Sequence, residues 1–519
     1  MVRIGNSNVS RRAVLAGAGA VGLASLIYPT KRSLAAGSVL KARSYSDIQT
    51  LDPCYRLAAP EGDITNVIFA GLVITTAGDK WGWKPMAVET IEQLDPLTIS
   101  FKLRDNIGFT DGFGQMTAED VKFSIERIAD PKNQSPYAGD WATLKEVEVK
   151  DKLSGIIHLK EAFAPMWTST LPTPSSTILS KRAVTEAGGK LGVKPVAQSG
   201  PYLLKEWAPK QRTILVRNPD WKYEQGAYDE IHIHPIEDEK TAELGYEAGD
   251  LDYTWTSVSS ITRLKQTPPA NTTVIEKPSL AFVWLGMNQK AAPFDNPDLR
   301  RAVQYAVDRK AVVDAAYFGA AATSTGIIAP GLIGHREKNL YEYDPDKARE
   351  LIAKAGAEGA TVTLDILNKA ERLTAAQVIQ ANLQEVGLNV EIKQNDSGTF
   401  WTLGTKENPY HDKLQLLLSR FSMQPDPSWA TEWFTTSQIG VWNWEQFSSP
   451  EFDKLVVDGK VELDPAKRDT MYKRMQDLME ESGCYVFLTH EVTGIMYRNS
   501  VVPALKPNGE PVFNDFKPA

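Results

Sequence analysis

Cysteine is nearly absent from this chain: Cys54 and Cys484 are the only two among 519 residues. Two thiols cannot build the multiply bridged framework of a small secreted scaffold, and no C-x-x-C pair offers a zinc or redox site. In an oxidising compartment the two could pair, but sequence leaves the separation of their Cα atoms, and so the bridge, open. Histidine is scarce as well, with six residues, and only His232 and His234 share a strand face. Two ligands without a third nearby read as a solvated face, and no metal site or cofactor is expected. Beyond residue 35 no run approaches the roughly 20 apolar residues that a bilayer-crossing helix needs. Positive charge is in deficit too, with 57 Lys and Arg against 65 Asp and Glu. Residues 1–35 hold five basic residues and no acid, which leaves 52 basic against 65 acidic residues in the remainder. Such a body repels a phosphate backbone and an anionic lipid surface, so nucleic acid and stable membrane insertion are not expected.

Catalytic spacings are missing in the same way. The chain has no G-x-S-x-G elbow, no H-E-x-x-H helix and no G-x-x-x-x-G-K-[ST] loop, the patterns that place a nucleophile, a zinc ion or a phosphate. Cys484 and His490 are the only candidate nucleophile and base for an exported hydrolase. Acid pairs such as Asp250/Asp252 and the run Glu237–Glu239 read as surface in so acidic a chain.

What is present is the composition of a packed protein: 42% hydrophobic residues, 9% aromatic and 13 Trp. At roughly 100–200 residues per domain the length predicts about three structural units. The first 35 residues read as an address. Ser10-Arg11-Arg12-Ala13-Val14-Leu15 opens an apolar Gly/Ala-rich run to Tyr28, followed by Lys31-Arg32 and the small-residue site Ser33-Leu34-Ala35. This resembles a twin-arginine export signal, with Val14 where the motif usually carries Phe, cleaved near Ala35 to leave a periplasmic protein. Gly17-Ala-Gly19-Ala-Val-Gly22 within it fits G-x-G-x-x-G, but Arg11-Arg12 before and Pro29 after deny the strand and long helix that a dinucleotide fold requires.

Strand-like runs at Thr98–Leu103, Thr213–Arg217 and Thr361–Ile366 alternate with helical patterns, which predicts an α/β protein. One helix is expected over Asp298–Tyr317 with Leu299, Val303, Ala306 and Val307 on its buried face. Another starts at Asp344-Pro345 and closes at Gly356, and a third spans Thr374–Val386 ahead of a strand at Leu388–Ile392. Gly112 and Gly200 read as turn residues, Thr117 and Asp120 as a capping box, and Arg127, Asp308 and Arg309 as buried ion-pair or capping residues.

Phe101-Lys-Leu-Arg-Asp-Asn-Ile-Gly-Phe-Thr-Asp-Gly112 followed by Thr117-Ala-Glu-Asp-Val-Lys-Phe-Ser-Ile-Glu-Arg127 resembles the signature of the dipeptide/oligopeptide/nickel class, family 5, of ABC-transporter solute-binding proteins. Gly200-Pro-Tyr202, Arg217-Asn-Pro-Asp-Trp221, Arg300–Arg309, Gln424-Pro-Asp-Pro427, Asn443-Trp444 and Ser449-Pro-Glu-Phe-Asp453 follow in the family's order. The resemblance implies a large two-lobed α/β binding fold of type II, an extra subdomain inserted in the first lobe, and a ligand cleft that closes by a hinge. The expected division is 36–72, 196–272 and 488–519 for lobe I, 73–195 for the inserted subdomain and 273–487 for lobe II. It also implies a monomer that hands a small molecule to the permease of an ABC importer without chemistry of its own. A ligand-presenting sensory protein is the alternative from outside transport.

The resemblance places ligand contacts as well. Peptide-binding relatives carry an Asp two positions before the Pro-Asp-Pro, where this chain has Met423. An ammonium desolvated without a charge partner is costly, so an opine or a sugar/amino-acid conjugate is expected over a plain peptide. Arg420 offers a planar donor fork for a carboxylate. Ser422 and the rings of Trp401, Trp442 and Trp444 lie in stretches that line the cleft in relatives, as do Asn443, Asn368 and Arg372. From the first lobe the candidates are Tyr55, Arg56 and Tyr137.

Overall fold

Val39–Ser44 opens the described chain as a strand whose Leu40 and Ala42 are fully buried, the alternation that a pleated strand imposes. The computed structural model describes residues 38–519 apart from Leu57; the expected export signal and its glycine motif lie outside the described residues. That first strand belongs to a ten-stranded mixed sheet. The order runs Tyr202–Ala208, Arg212–Arg217, Glu230–Pro235, Val39–Ser44, Tyr253–Thr256, Tyr485–Arg498, Thr272–Met287, Leu416–Ser422, Thr361–Leu367, Asn389–Asn395. The expected strands at 98–103, 213–217, 361–366 and 388–392 all form, to within three residues at their ends.

The two central strands are the long ones, 14 residues in Tyr485–Arg498 and 16 in Thr272–Met287. They pair antiparallel from Thr272 opposite Arg498 to Gly286 opposite Tyr485, with breaks of register between Pro278 and Phe282 and again between Val283 and Trp284. A proline has no ladder donor, so the first break falls where the pairing is weakest. On one side of it the sheet packs against Ile64, Phe69, Tyr202, Tyr253 and Phe516, the core of the first lobe. On the other, Val283, Leu285 and Met287 face a core shared with four helices, while Phe282 and Trp284 face a second core with Phe434, Tyr472 and Tyr485. Both faces are therefore covered, which is why residues 280–287 are apolar without alternation.

A separate antiparallel sheet of four strands, Val88–Asp95, Thr98–Leu103, Ser154–Leu159 and Leu144–Val149, packs with the helix Ala118–Ala129 around its own core. The capping box forms: the Thr117 N–H donates to the Asp120 carboxylate at 2.9 Å. Gly112 is a turn residue with φ of 75°. Gly200 is not among the positive-φ residues; a Cβ there would collide with the Val67 carbonyl oxygen, so glycine serves a close approach of two backbone segments instead of a turn.

Two expected helices differ. Asp298–Tyr317 is two helices, Pro297–Ala306 and Arg309–Ala316, because Val307 is extended and the Asp308 carboxylate accepts from the Ala311 N–H to cap the second. Local capping has won over a continuous apolar face, and Leu299, Val303, Ala306 and Val307 are buried all the same. The helix expected from Thr374 begins at Ala370. Cys54 and Cys484 are both free and buried, in different cores.

One ion pair pins the helix Ala118–Ala129 to the loop after the first strand. Arg127 donates to both oxygens of Asp52, at 2.8 and 2.6 Å, and the carboxylate also accepts from the N–H groups of Leu191 at 2.9 Å and Cys54 at 3.0 Å. Asp52 is wholly buried. Asp52→Ala strands the guanidinium, and urea unfolding is expected to show a loss of about 3–5 kcal/mol. A loss below about 1 kcal/mol would mean that water reaches the site and the pair fastens nothing.

Candidate ligand cleft

A cavity of about 470 Å³ opens between the lobes, at the break of register in the central strands. Ser279, Leu280 and Ala281 from one crossing strand and Thr493 from the other reach it, and the remaining lining comes from both lobes. Leu416–Ser422 supplies the second-lobe wall. Its first four residues are buried, and alternation at its end then turns Arg420 and Ser422 outward to the cavity and Phe421 back among Phe282, Trp284 and Phe434.

Arg420 is held from behind. Its Nε donates to Glu491 at 2.9 Å, and the same carboxylate accepts from Arg372 at 2.5 Å, while Arg372 donates to the Tyr317 hydroxyl at 2.6 Å. Burial alone would raise the Glu491 carboxyl; the two guanidinium groups outweigh it and hold it below the usual carboxylate range. Among the described residues the terminal amino groups of Arg420 have no hydrogen-bond partner, and they border the cavity. Beside it Met423, 5% exposed, packs with the second-lobe core. The one acid of this loop, Asp426, is already occupied: it accepts from Arg468 at 3.0 and 3.1 Å, from the Ser428 N–H at 3.0 Å and from the Thr168 hydroxyl at 2.7 Å.

The first-lobe wall is richer in charge. Arg56 lies 3.4 Å above the Tyr137 ring and donates to the Pro53 carbonyl at 2.9 Å and the Ser175 hydroxyl at 3.3 Å. Ser175 in turn donates to Asp140, whose carboxyl burial pushes upward. Further along, Lys506 lies 3.0 Å from Glu510 and 3.9 Å from Asp63. Burial lifts the Asp63 carboxyl to about 7, with Lys506 pulling it down and Glu510 pushing it up.

Residues 83–441 match the family described as "Bacterial extracellular solute-binding proteins, family 5 Middle". The chain belongs to this family. It is 26% identical over 407 residues to the glutathione-binding protein GsiB of Escherichia coli O157:H7, across 76% of this chain and 78% of GsiB. Among solved structures, HbpA2 from Haemophilus parasuis superimposes with a TM-score of 0.82 at 20% identity, covering 93% of this chain and 100% of HbpA2. DppA from Helicobacter pylori in complex with the peptide STSA gives 0.72 at 23% identity, over 93% and 98% of the two chains. MoaA from A. tumefaciens R10 in complex with mannopinic acid also gives 0.72 at 23%, over 93% and 100%. These similarities establish the two-lobed α/β fold.

Of the candidate residues read from sequence, Arg56, Tyr137, Arg420, Ser422 and Met423 line the cavity. Tyr55 does not; its ring receives Lys190 at 4.0 Å and Arg127 at 5.3 Å. Arg372 stands behind Arg420 on Glu491. Asn368 is exposed and its N–H donates to the Asn395 carbonyl at 2.8 Å. Asn443 is fully buried and donates to the carbonyls of Phe434, Thr435 and Phe447 at 3.1, 3.1 and 2.7 Å, which makes it a loop clamp. Trp444 packs on Phe400 at 5.8 Å. Trp401 stacks on Phe421 at 6.3 Å and Trp442 meets Phe421 edge-on at 5.9 Å, so these rings buttress the strand that carries Arg420. Sequence reasoning missed Asp63, Lys506, Glu510, Trp81, Trp255 and Trp429, all of which line the cavity. The return of the C-terminus to the first lobe was the signal that could have drawn attention to Lys506 and Glu510. Cys484 and His490 share no hydrogen bond; burial pushes the thiol up to about 11 and the imidazole down to about 4, the reverse of what an activated pair needs.

Behind the cleft wall a second carboxyl is buried without a cation. Glu445 accepts from the Trp284 indole at 2.7 Å, and its burial raises the carboxyl to about 7. The folded state thus keeps a proton that the unfolded state releases near 4.5. Stability contributed by the neutral form is complete below that value and is lost as pH rises to about 7. Relative to Glu445→Gln, the wild type is expected to lose about 3 kcal/mol between pH 4.5 and 7, at 1.36 kcal/mol per unit. Chemical unfolding of both proteins across that range checks it, and a stability gap independent of pH would show that Glu445 is ionised in the fold.

Proposed function

We propose that the protein is the periplasmic substrate-binding receptor of an ABC importer, which captures a small polar ligand by hinge closure and delivers it, unaltered and as a monomer, to the permease. The observation that carries this reading is the cavity at the break in the two crossing strands, lined from both lobes, where rotation of one lobe on the other encloses whatever lies between them. The lobe boundaries drawn from sequence, with the inserted subdomain over 73–195, belong to the same proposal. Arg56, Tyr137, Arg420 and Ser422 are its ligand contacts, with Met423 as an apolar neighbour.

For the ligand, an opine or a sugar/amino-acid conjugate is favoured over a plain peptide. Two facts support this: Met423 brings no charge to the second-lobe wall, and the adjacent Asp426 is consumed by Arg468. Arg420 then makes that wall an acceptor of carboxylate. Relatives whose names mention glutathione, a peptide and mannopinic acid fit the same size and polarity.

Thermal unfolding against a panel of di- to pentapeptides, opines and acidic sugars tests the reading. A ligand that binds only the folded state adds about 2.7 kcal/mol at one hundred times its dissociation constant. The expected result is a shift with opines or sugar conjugates that Arg420→Ala removes, with the ligand recovered chemically unchanged. A shift confined to plain peptides would refute the ligand class and leave the receptor; conversion of the ligand would refute the receptor.

A further inference from the structure

Resting on that receptor reading, we propose that the cleft takes a zwitterion in a fixed orientation: Asp63, backed by Lys506 and Glu510, anchors the ligand's cationic amine on the first lobe, while Arg420 receives its carboxylate on the second. This polarity is the reverse of what the family resemblance implies, in which the amine meets an aspartate beside the Pro-Asp-Pro of the second lobe.

The second lobe cannot serve the amine. Its charged lining group is Arg420, the position of the usual aspartate is the buried Met423, and Asp426 already has three donors, Arg468, the Ser428 N–H and the Thr168 hydroxyl. The first lobe can. Two carboxylates share one lysine there, and the sharing is unequal: Lys506 sits 3.0 Å from Glu510, where its Nζ donates, but 3.9 Å from Asp63, beyond hydrogen-bond reach. Asp63 is 11% exposed at its side chain and accepts no hydrogen bond among the described residues, so the carboxylate that lines the cavity is desolvated with only the 3.9 Å approach of Lys506 to offset its charge. A ligand ammonium supplies the missing donor and the missing charge in one contact, and a hydroxyl supplies only the first. Tyr45 and Trp255, stacked at 5.9 Å, border the same part of the cavity and present ring surface to the alkyl portion of such an amine.

The test is calorimetric titration of the purified protein and of Asp63→Asn with matched probes: glutathione and N-acetylglutathione, mannopinic acid and its N-acetyl derivative. Acetylation removes the positive charge and keeps the carboxylates. At least one parent probe is expected to bind the wild type, with Asp63→Asn weakening it tenfold or more, and the acetylated forms are expected to bind weakly and equally to both proteins. Asp63→Asn is nearly isosteric, and an unfolding midpoint without ligand confirms that it folds. Affinity for the parent within twofold in Asp63→Asn overturns the inference, as does an acetylated probe that binds as tightly as its parent. Binding only to purely anionic sugars, dependent on Arg420 and indifferent to Asp63, would refute the zwitterion and leave the receptor standing. Absence of binding to every probe and every member of the earlier panel would refute both.

Discussion

Everything in this molecule hangs on two antiparallel strands, Thr272–Met287 and Tyr485–Arg498, that run through both lobes. Two strands held by a continuous ladder make a stiff connection; here the ladder is interrupted where Pro278 has no N–H to give, and the interruption faces the cleft. The site is therefore assembled around the weakest part of the joint. Glu491 lies on one crossing strand at that point and holds both Arg420, on the strand that flanks the other crossing strand, and Arg372, on a second-lobe helix. A rotation at the joint must carry Glu491 with Arg372, whose buried guanidinium would otherwise be stranded, while the half-exposed Arg420 follows more loosely.

Closure has its own contacts, separate from the ligand. Trp81 packs against the second-lobe core, Thr168 donates across to Asp426 at 2.7 Å, and Lys277 meets Asp79 at 2.5 Å. Neither polar contact is strong: water screens the pair at exposed Asp79, and Thr168 offers a single hydroxyl bond. They hold the lobes in register without locking them, which leaves the ligand to decide the equilibrium through its differential affinity for the closed state.

The fold was legible because its signals are local or repeated. The capping box at Thr117, the caps at Asp344 and Asp308 and the apolar strands each act within a few residues, and the family landmarks string them in order. The site was legible only in part, for a physical reason. A tryptophan in a cleft and one behind it carry the same apolar pattern: Trp442 and Trp444 both read as lining, and both back the wall from the far side. Arg420 was readable because it lies three residues before Met423, in the stretch that the family resemblance marks, and strand alternation in the fold then turns it outward. Asp63, Lys506 and Glu510 were not, since Asp63 lies more than 440 residues from the other two and meets them only when the C-terminal segment packs beside the helix Ala59–Ile68.

The charges around the cavity form two poles. Arg372 and Arg420 of the second lobe, with Glu491 of the crossing strand between them, carry one net positive charge; Asp63, Glu510 and Lys506 carry one net negative charge on the first lobe when Asp63 is ionised. The negative pole has lost most of its water, Arg420 of the positive pole is still 43% exposed, and each pole holds donors or acceptors that its own partners leave unused. A neutral sugar entering here strips the remaining water from both and returns hydrogen bonds without charge. A simple anion satisfies one pole and faces repulsion from the other. Selectivity then arises less from how well the right ligand binds than from how badly the wrong ones do, because an unpaired charge in a closed cleft is penalised more heavily than any single good contact rewards. The joint strengthens that discrimination: closure removes the last solvent from both poles at once, so only a ligand bearing both charges, at a separation that the 470 Å³ cavity can span, lowers the energy of the closed form.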